Sequence, residues 1–313
     1  MQVFANRVKI VVIKIELRCA ELLTISANAK INLTLDILGK REDGYHDVEL
    51  VLQSIALADT LELAKIDSGI KFEMNTDEVV GAEILPTDDS NLACQAAKVV
   101  QDYCKLKEGV FIRLNKKIPI AAGLAGGSTD AAAVIRGMNR LFNLRLTTEE
   151  MCNLGAKIGS DVPFCVVGGT CLASGRGEVL TRLADLPSLP IVLIKPRGAI
   201  PTAWAYKTYD NDRSPEHPDT AAICEAINLS DTEAVCELIF NVMERVAVKK
   251  YPAIIQYKNQ MLEAGAVAAM MSGSGPSVFG IAKNRDDAVK IADTFKNSGV
   301  QVFVTETVGR IEN

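Results

Sequence analysis

The chain is poor in rings. Aromatic residues make up 5% of its 313 residues, with one tryptophan, Trp204, and two histidines, His46 and His217. Two histidines are too few for a histidine-built metal centre, and an aromatic in a polar loop stands out as a candidate ligand contact. Paired cysteines are also missing. The eight cysteines, at 19, 94, 104, 152, 165, 171, 224 and 236, form no C-x-x-C, which argues against zinc. Several lie in apolar segments, where a thiol acts as a small hydrophobe. The reading is of reduced thiols in a cytoplasmic protein. There is no excess of basic charge: 34 Lys and Arg stand against 39 Asp and Glu, a net charge of −5. Neither nucleic acid nor a membrane surface is therefore expected as a partner, and any phosphate chemistry must come from a local site. Long apolar runs are absent too. RVKIVVIKIELRC, near the N-terminus, is broken by Lys9, Lys14, Glu16 and Arg18, and is too short and too charged for a membrane span or a secretory leader. Its alternation from Lys14 to Arg18 predicts a strand.

What is present is ample apolar material, 48% of residues, in a length that suggests two domains. Residues 31–38 and 47–57 alternate as strands around the turn signal Asp43-Gly44, which predicts a long β-hairpin. DTLELAKI and GIKFEMN read as further strands. Ser90-Asn91 opens a helix, and GVFIRLNKKIPI is a strand. Ala131, Val134, Ile135, Met138 and Phe142 mark one helix face. Thr147 to Glu150 form a capping box, Pro163 blocks continuation of the helix that follows, and FCVVGGTCLASG (164–175) reads as a strand. PIVLIKP (190–196) opens the second domain, and Asp210 to Asp219 is its most loop-like stretch. Val235, Leu238, Ile239 and Val242 share a predicted helix face. The C-terminal part runs AVAAMM strand, SGSGPS turn, VFGIA strand, helix from about Asp286 to Asn297, VQVFVTET strand. The fold class is α+β.

PIAAGLAGGSTDAAA (119–133) puts almost no side chain between a strand and a helix. Small residues let backbone N–H groups approach a ligand, and a helix N-terminus favours an anion. The loop is neither a Walker A sequence, since no Lys follows its last Gly, nor G-x-G-x-x-G. A purely structural alternative is a tight junction capped by Ser128; the stretch is longer than a cap requires, so the reading is a phosphate cradle. SGSGPS by itself reads as a hairpin turn.

Three segments together carry a resemblance. PIAAGLAGGSTDAAA resembles the second motif of the GHMP kinases, ANAKINLTLDILGKREDGYH (27–46) the first, and AAMMSGSGPSVFG (268–280) the third. GSDVPFCVVGGTCLASGRGE, SNLACQAA and KPRGAIPTAWAY are similar to the branch whose substrate is a cytidine diphosphate ester of methylerythritol, and the similarity covers roughly residues 26–310. The resemblance implies a two-domain GHMP kinase fold: a ribosomal-protein-S5-like ATP-binding domain over 26–185 and a ferredoxin-like C-terminal domain over 186–313, with residues 1–25 as an N-terminal extension. It implies transfer of the γ-phosphoryl of ATP, with Mg²⁺, to the 2-hydroxyl of the methylerythritol unit, a step of the non-mevalonate route to isoprenoid precursors. Ala125 stands where this branch often has Gly, and Thr129 where Ser is common. Alanine calls for φ below zero, which makes the loop less permissive.

The same resemblance assigns roles. Asp161 matches the catalytic aspartate, a proton acceptor or an orienter of the hydroxyl, and Lys30 the lysine paired with it. Asn91, Pro119, Gly123, Leu124, Ala125, Gly126, Gly127, Ser128 and Thr129 are the ATP-binding positions; no carboxylate stands out for Mg²⁺, which leaves the phosphates, water and Ser128. Asn32, on the strand face of Lys30, positions substrate or phosphate. Tyr45, His46, Thr202 and Tyr206 belong to the cytidine substrate, with Trp204 replacing Tyr206 in the stack if the register shifts. Alternatives are another GHMP kinase, acting on mevalonate, homoserine or a sugar, and a catalytically silent sensor of ATP or a metabolite. The expected partner is the small-molecule substrate, and the chain is a monomer or a homodimer.

Overall fold

Two strands of unusual length organise the molecule. The computed structural model describes residues 22–79, 85–212 and 216–311, so the strand expected at Lys14 to Arg18 lies outside the described residues. β1 (Leu23–Lys40) and β2 (His46–Ile66) pair antiparallel around the Asp43-Gly44 turn. DTLELAKI is the far half of β2 rather than a separate strand. The ladder slips register between Asn28 and Lys30 and again between Asn32 and Thr34. Such bulges re-aim side chains, and these two bracket Lys30 and Asn32.

β3 (Ile70–Asn75) runs parallel to β4 (Gly109–Asn115), which pairs with β2. β5 (Thr170–Ser174) pairs with β2 and with β6 (Val179–Arg182). A two-residue strand, β8 (Phe240–Asn241), closes the seven-stranded sheet beside β1. The second sheet is antiparallel, in the order β11 (Gln301–Glu306), β7 (Pro190–Lys195), β10 (Val278–Ile281), β9 (Ala268–Met271). Ten helices are described: α1 (Leu92–Cys104), α2 (Gly126–Leu141), α3 (Thr148–Ala156), α4 (Val162–Val167), α5 (Thr202–Tyr209), α6 (Thr220–Asn228), α7 (Thr232–Leu238), α8 (Val242–Lys250), α9 (Ala253–Glu263) and α10 (Arg285–Asp293). Ala131, Val134, Ile135 and Met138 of α2 are completely buried, as their helical spacing predicts. No helix among the described residues is long and apolar enough to cross a membrane.

Two elements differ from expectation. Phe164 to Val167 are helical, in α4, and only Thr170–Ser174 is strand. Pro163 lies in the first turn of α4, where its missing N–H costs nothing, so it starts a helix rather than merely ending one. The face from Val235 to Val242 is broken, because the chain turns extended at Ile239 to pair β8 with β1.

The sheets share their interior. Ala29, Ile31 and Leu33 of β1 pack in one core with Ile191 and Leu193 of β7 and Phe279 of β10. Cross-bonds add to this: Leu57 N–H donates to Thr305 Oγ1 at 2.9 Å, and Gln53 Nε2 to the Val308 carbonyl at 2.9 Å.

Candidate active site

The small-residue loop enters α2 through a backbone turn that alanine rarely makes. Ala125 is the N-cap residue at φ 58°, ψ 28°, in the left-handed region, and no side chain caps the helix. The expectation of negative φ is therefore corrected: the loop holds an alanine in a glycine conformation, at a cost of about 1–2 kcal/mol. Ser128 is not the cap either. Six other helices take a side-chain cap, from Asn91, Thr147, Asp219, Asp231, Asn241 and Asn284. In α2 the first intrahelical bond runs from Thr129 N–H to the Ala125 carbonyl at 2.9 Å, so the N–H groups of Gly126, Gly127 and Ser128 carry no helical bond. Unpaired N–H groups at a helix N-terminus favour an anion.

Thr129 differs from its expected role. Its hydroxyl is buried and donates to the Asn28 carbonyl at 2.7 Å, tying α2 to β1 rather than facing a ligand. Gly123, at φ 74°, touches the second glycine turn backbone to backbone: a Cβ there would lie 2.3 Å from the Ser272 carbonyl oxygen. Ser272 Oγ donates back to the Gly123 carbonyl at 3.0 Å. SGSGPS is thus a hairpin turn that also walls the site.

A cavity of about 390 Å³ opens between these loops. Lys30, Asp161, Ser128, Thr202 and Ser274 line it, together with Asn91, Pro119, Leu124 and the loop glycines. Lys30 N–H donates to the Leu124 carbonyl at 3.2 Å, which registers β1 against the loop. The Lys30 ammonium is buried and donates to Asn32 Oδ1 at 2.6 Å; among the described residues it forms no ion pair with Asp161, across the same cavity. Asn32 is the buried residue that holds Lys30 in place. Asp161 sits at the N-terminus of α4. Its charge reaches Tyr206, whose hydroxyl is pushed up to about 12, first by burial and then by Asp161. Asn91 caps α1: Oδ1 accepts from Ala93 N–H at 2.9 Å and Nδ2 donates to the Pro86 carbonyl at 2.8 Å.

Tyr45, His46 and Tyr206 lie beyond the walls of that cavity. His46 and Tyr206 stack on each other, with ring centroids 4.7 Å apart and planes inclined by 29°. Tyr45 is exposed, and the Arg176 guanidinium lies 5.1 Å from its ring centre. Trp204 packs under Lys250 instead, which removes it as a substitute for Tyr206. Thr202 Oγ1 lies 3.2 Å from Ser274 Oγ, joining α5 to the glycine turn.

Sequence reasoning missed two groups. One is a buried ionic triad under the loop, with the Lys116 ammonium between Asp59 and Asp130, 2.7 Å from Asp130 Oδ2. A Cβ on Gly126 would lie 3.5 Å from Lys116 Nζ. Burial first, and then the second carboxylate of Asp59 against the pull of Lys116, hold the Asp130 carboxyl well above the carboxylate range. Burial lowers the Lys116 amine, but the two carboxylates outweigh it and leave it raised. Asp130 Oδ1 has no partner. Asp-Lys-Asp at 59, 116 and 130 has no local spacing to find. The other group is Asp210, read as the start of a loop.

An uncapped helix N-terminus, a lysine and an aspartate line one cavity, an arrangement suited to phosphoryl transfer, and the fold is that of an ATP-dependent small-molecule kinase. The descriptions GHMP kinases N terminal domain and GHMP kinases C terminal match residues 91–169 and 222–301. A 4-diphosphocytidyl-2-C-methyl-D-erythritol kinase of Acetivibrio thermocellus is 44% identical over 92% of this chain and 100% of its own length. One from Geobacillus sp. (strain WCH70) is 46% identical over 92% of this chain and 97% of its own. A crystal structure of 4-(cytidine 5'-diphospho)-2C-methyl-D-erythritol kinase superposes with a TM-score of 0.78 at 30% identity, covering 92% of this chain and 100% of that one. The chain belongs to the GHMP kinases and, within them, to the 4-diphosphocytidyl-2-C-methyl-D-erythritol kinase family.

Proposed function

We propose that this chain transfers the γ-phosphoryl group of ATP to the 2-hydroxyl of 4-diphosphocytidyl-2-C-methyl-D-erythritol, giving the 2-phosphate and ADP. The observation that carries the reading is the convergence of Lys30, Asp161 and the uncapped N-terminus of α2 on one cavity. The N–H groups of Gly126, Gly127 and Ser128 take up phosphate oxygens. Among the described residues no three metal-ligating side chains cluster. Mg²⁺ would accompany ATP and offset phosphate charge, and the Ser128 hydroxyl is the protein group that would help hold it. Lys30, held by Asn32, offsets charge on the transferring group. Asp161 orients the substrate hydroxyl and accepts its proton as the new P–O bond forms. His46 and Tyr206 receive the cytosine, with Tyr45 at the rim.

The test is ATP consumption with the cytidine substrate, and with mevalonate and homoserine in parallel. Turnover of the cytidine compound alone is expected, with kcat reduced by about 10²–10⁴ in Asp161→Asn. Turnover of another alcohol would remove the roles of Tyr45, His46 and Tyr206. ATP binding without turnover of any alcohol would point to a sensor.

A further inference from the structure

One helix face grips His46 twice. Tyr206 and Asp210 lie four residues apart, so they share a face of α5 and its C-cap. Tyr206 stacks on the imidazole, and Asp210 Oδ1 lies 2.6 Å from His46 Nε2. The other oxygen, Oδ2, accepts from Lys40 Nζ at 2.8 Å. Lys40 is the cross-strand partner of His46 at the base of the hairpin. The His46 side chain is only 8% exposed.

A carboxylate can only accept, so Nε2 must carry the hydrogen. With Nε2–H given to Asp210, a neutral imidazole holds its lone pair at Nδ1. Among the described residues no protein group bonds to Nδ1. The ring has Nε2 fixed by Asp210, which leaves Nδ1 as the nitrogen open to a ligand donor. Cytosine offers an exocyclic amino group at the position where uracil has a carbonyl oxygen.

We propose that Asp210 is a positioning residue that locks His46 as the Nε2–H tautomer and so makes the nucleobase subsite select an amino-pyrimidine. The selectivity half rests on the cytidine reading above; the tautomer half does not. The lock makes a specific demand of Asp210→Asn. Where the Asn carbonyl oxygen keeps the Lys40 bond, the amide NH₂ faces Nε2. That donor forces the imidazole proton onto Nδ1 and turns the acceptor into a donor.

The experiment has two arms. In the first, the protein is labelled with ¹⁵N-histidine and its imidazole nitrogens are recorded by long-range ¹H–¹⁵N correlation at about pH 8, where an ordinary imidazole is neutral. The chain has two histidines, so His217→Gln assigns the spectrum. Nε2–H is expected for His46 in the wild type, and Nδ1–H in Asp210→Asn. In the second arm, steady-state kinetics compare the cytidine substrate with its uridine counterpart. Asp210→Asn is expected to raise the KM for the cytidine compound on the order of tenfold or more, with kcat and the KM for ATP within about twofold and the preference over uridine collapsed. Asp210→Glu restores part of that preference. A wild-type His46 protonated on Nδ1 or on both nitrogens, or an Asp210→Asn spectrum like the wild type, overturns the lock. A switched tautomer with unchanged cytidine preference overturns the selectivity. Wild-type protein that turns over neither pyrimidine compound, with the tautomers as expected, upholds the lock and sinks the cytidine reading.

Discussion

At Gly123 a single hydrogen separates a working wall from a collision. A Cβ would meet the Ser272 carbonyl at 2.3 Å, and the residue's φ of 74° disfavours any side chain. Gly123→Ala should lose at least ~2 kcal/mol of stability and most turnover. Gly299→Ala is the matched control: φ is 72° but nothing lies within 4 Å, so only the conformational cost of about 1–2 kcal/mol applies and kcat should hold. Denaturant midpoints and initial rates on both variants check the pair; equal losses would mean that the contact with Ser272 is unimportant. Ala125→Gly runs the other way. Relief of the left-handed alanine outweighs the added chain entropy, and a gain of up to about 1 kcal/mol is expected. None of these contacts was legible in the sequence. The glycines marked where backbone comes close, but not which backbone, and Gly123 and Ser272 are 149 residues apart.

Among elements, the strands and helices with local signals were the readable ones. Alternation and Asp43-Gly44 located the β1–β2 hairpin, and Asn91 and Thr147 marked their helix starts because a cap is a short-range bond. The segment 164–167 misled because Val166 and Val167 suit a strand, and packing decides in favour of helix over that weak preference. Asp210 was hidden for a related reason. Placing α5 through Tyr209 makes the i, i+4 relation to Tyr206 visible, but the sequence there reads as the start of a loop. The triad joining β2, the end of β4 and α2 also escaped, since its three residues meet only in three dimensions. It sets a pH dependence. Asp130 keeps its proton more tightly folded than unfolded, so its contribution is full below the ordinary carboxyl value of about 4 and drains as pH rises through the elevated folded value. Lys116, also raised, loses its contribution at the alkaline end. Urea midpoints should therefore fall more steeply with rising pH for the wild type than for Asp130→Asn, and superimposable profiles would refute the raised Asp130 carboxyl. Lys116→Met leaves the buried Asp59 carboxylate without its cation and should cost about 3–5 kcal/mol.

As a whole molecule, the protein has two sheets but interlocked cores. Ile31 and Leu33 of one sheet pack with Leu193 and Phe279 of the other, and the final strand is stitched to β2 through Thr305 and Val308. A single cooperative unfolding transition is expected, with calorimetric and van't Hoff enthalpies in agreement; two resolved transitions would show that the sheets unfold independently. Saturating ATP at a hundredfold over its Kd should add about 2.7 kcal/mol to that one transition.

The seam between Gly123 and Ser272 is made of main chain, and this bears on inhibition. A compound that draws its hydrogen bonds from those peptide groups meets a surface that carries almost no side chains. Substitution there strikes backbone at 2.3 Å or, at Gly273, at 3.0 Å from the Gly123 carbonyl. Escape from such a compound by a single change at the seam would damage the enzyme along with the drug site, so resistance would have to arise elsewhere on the ligand's footprint.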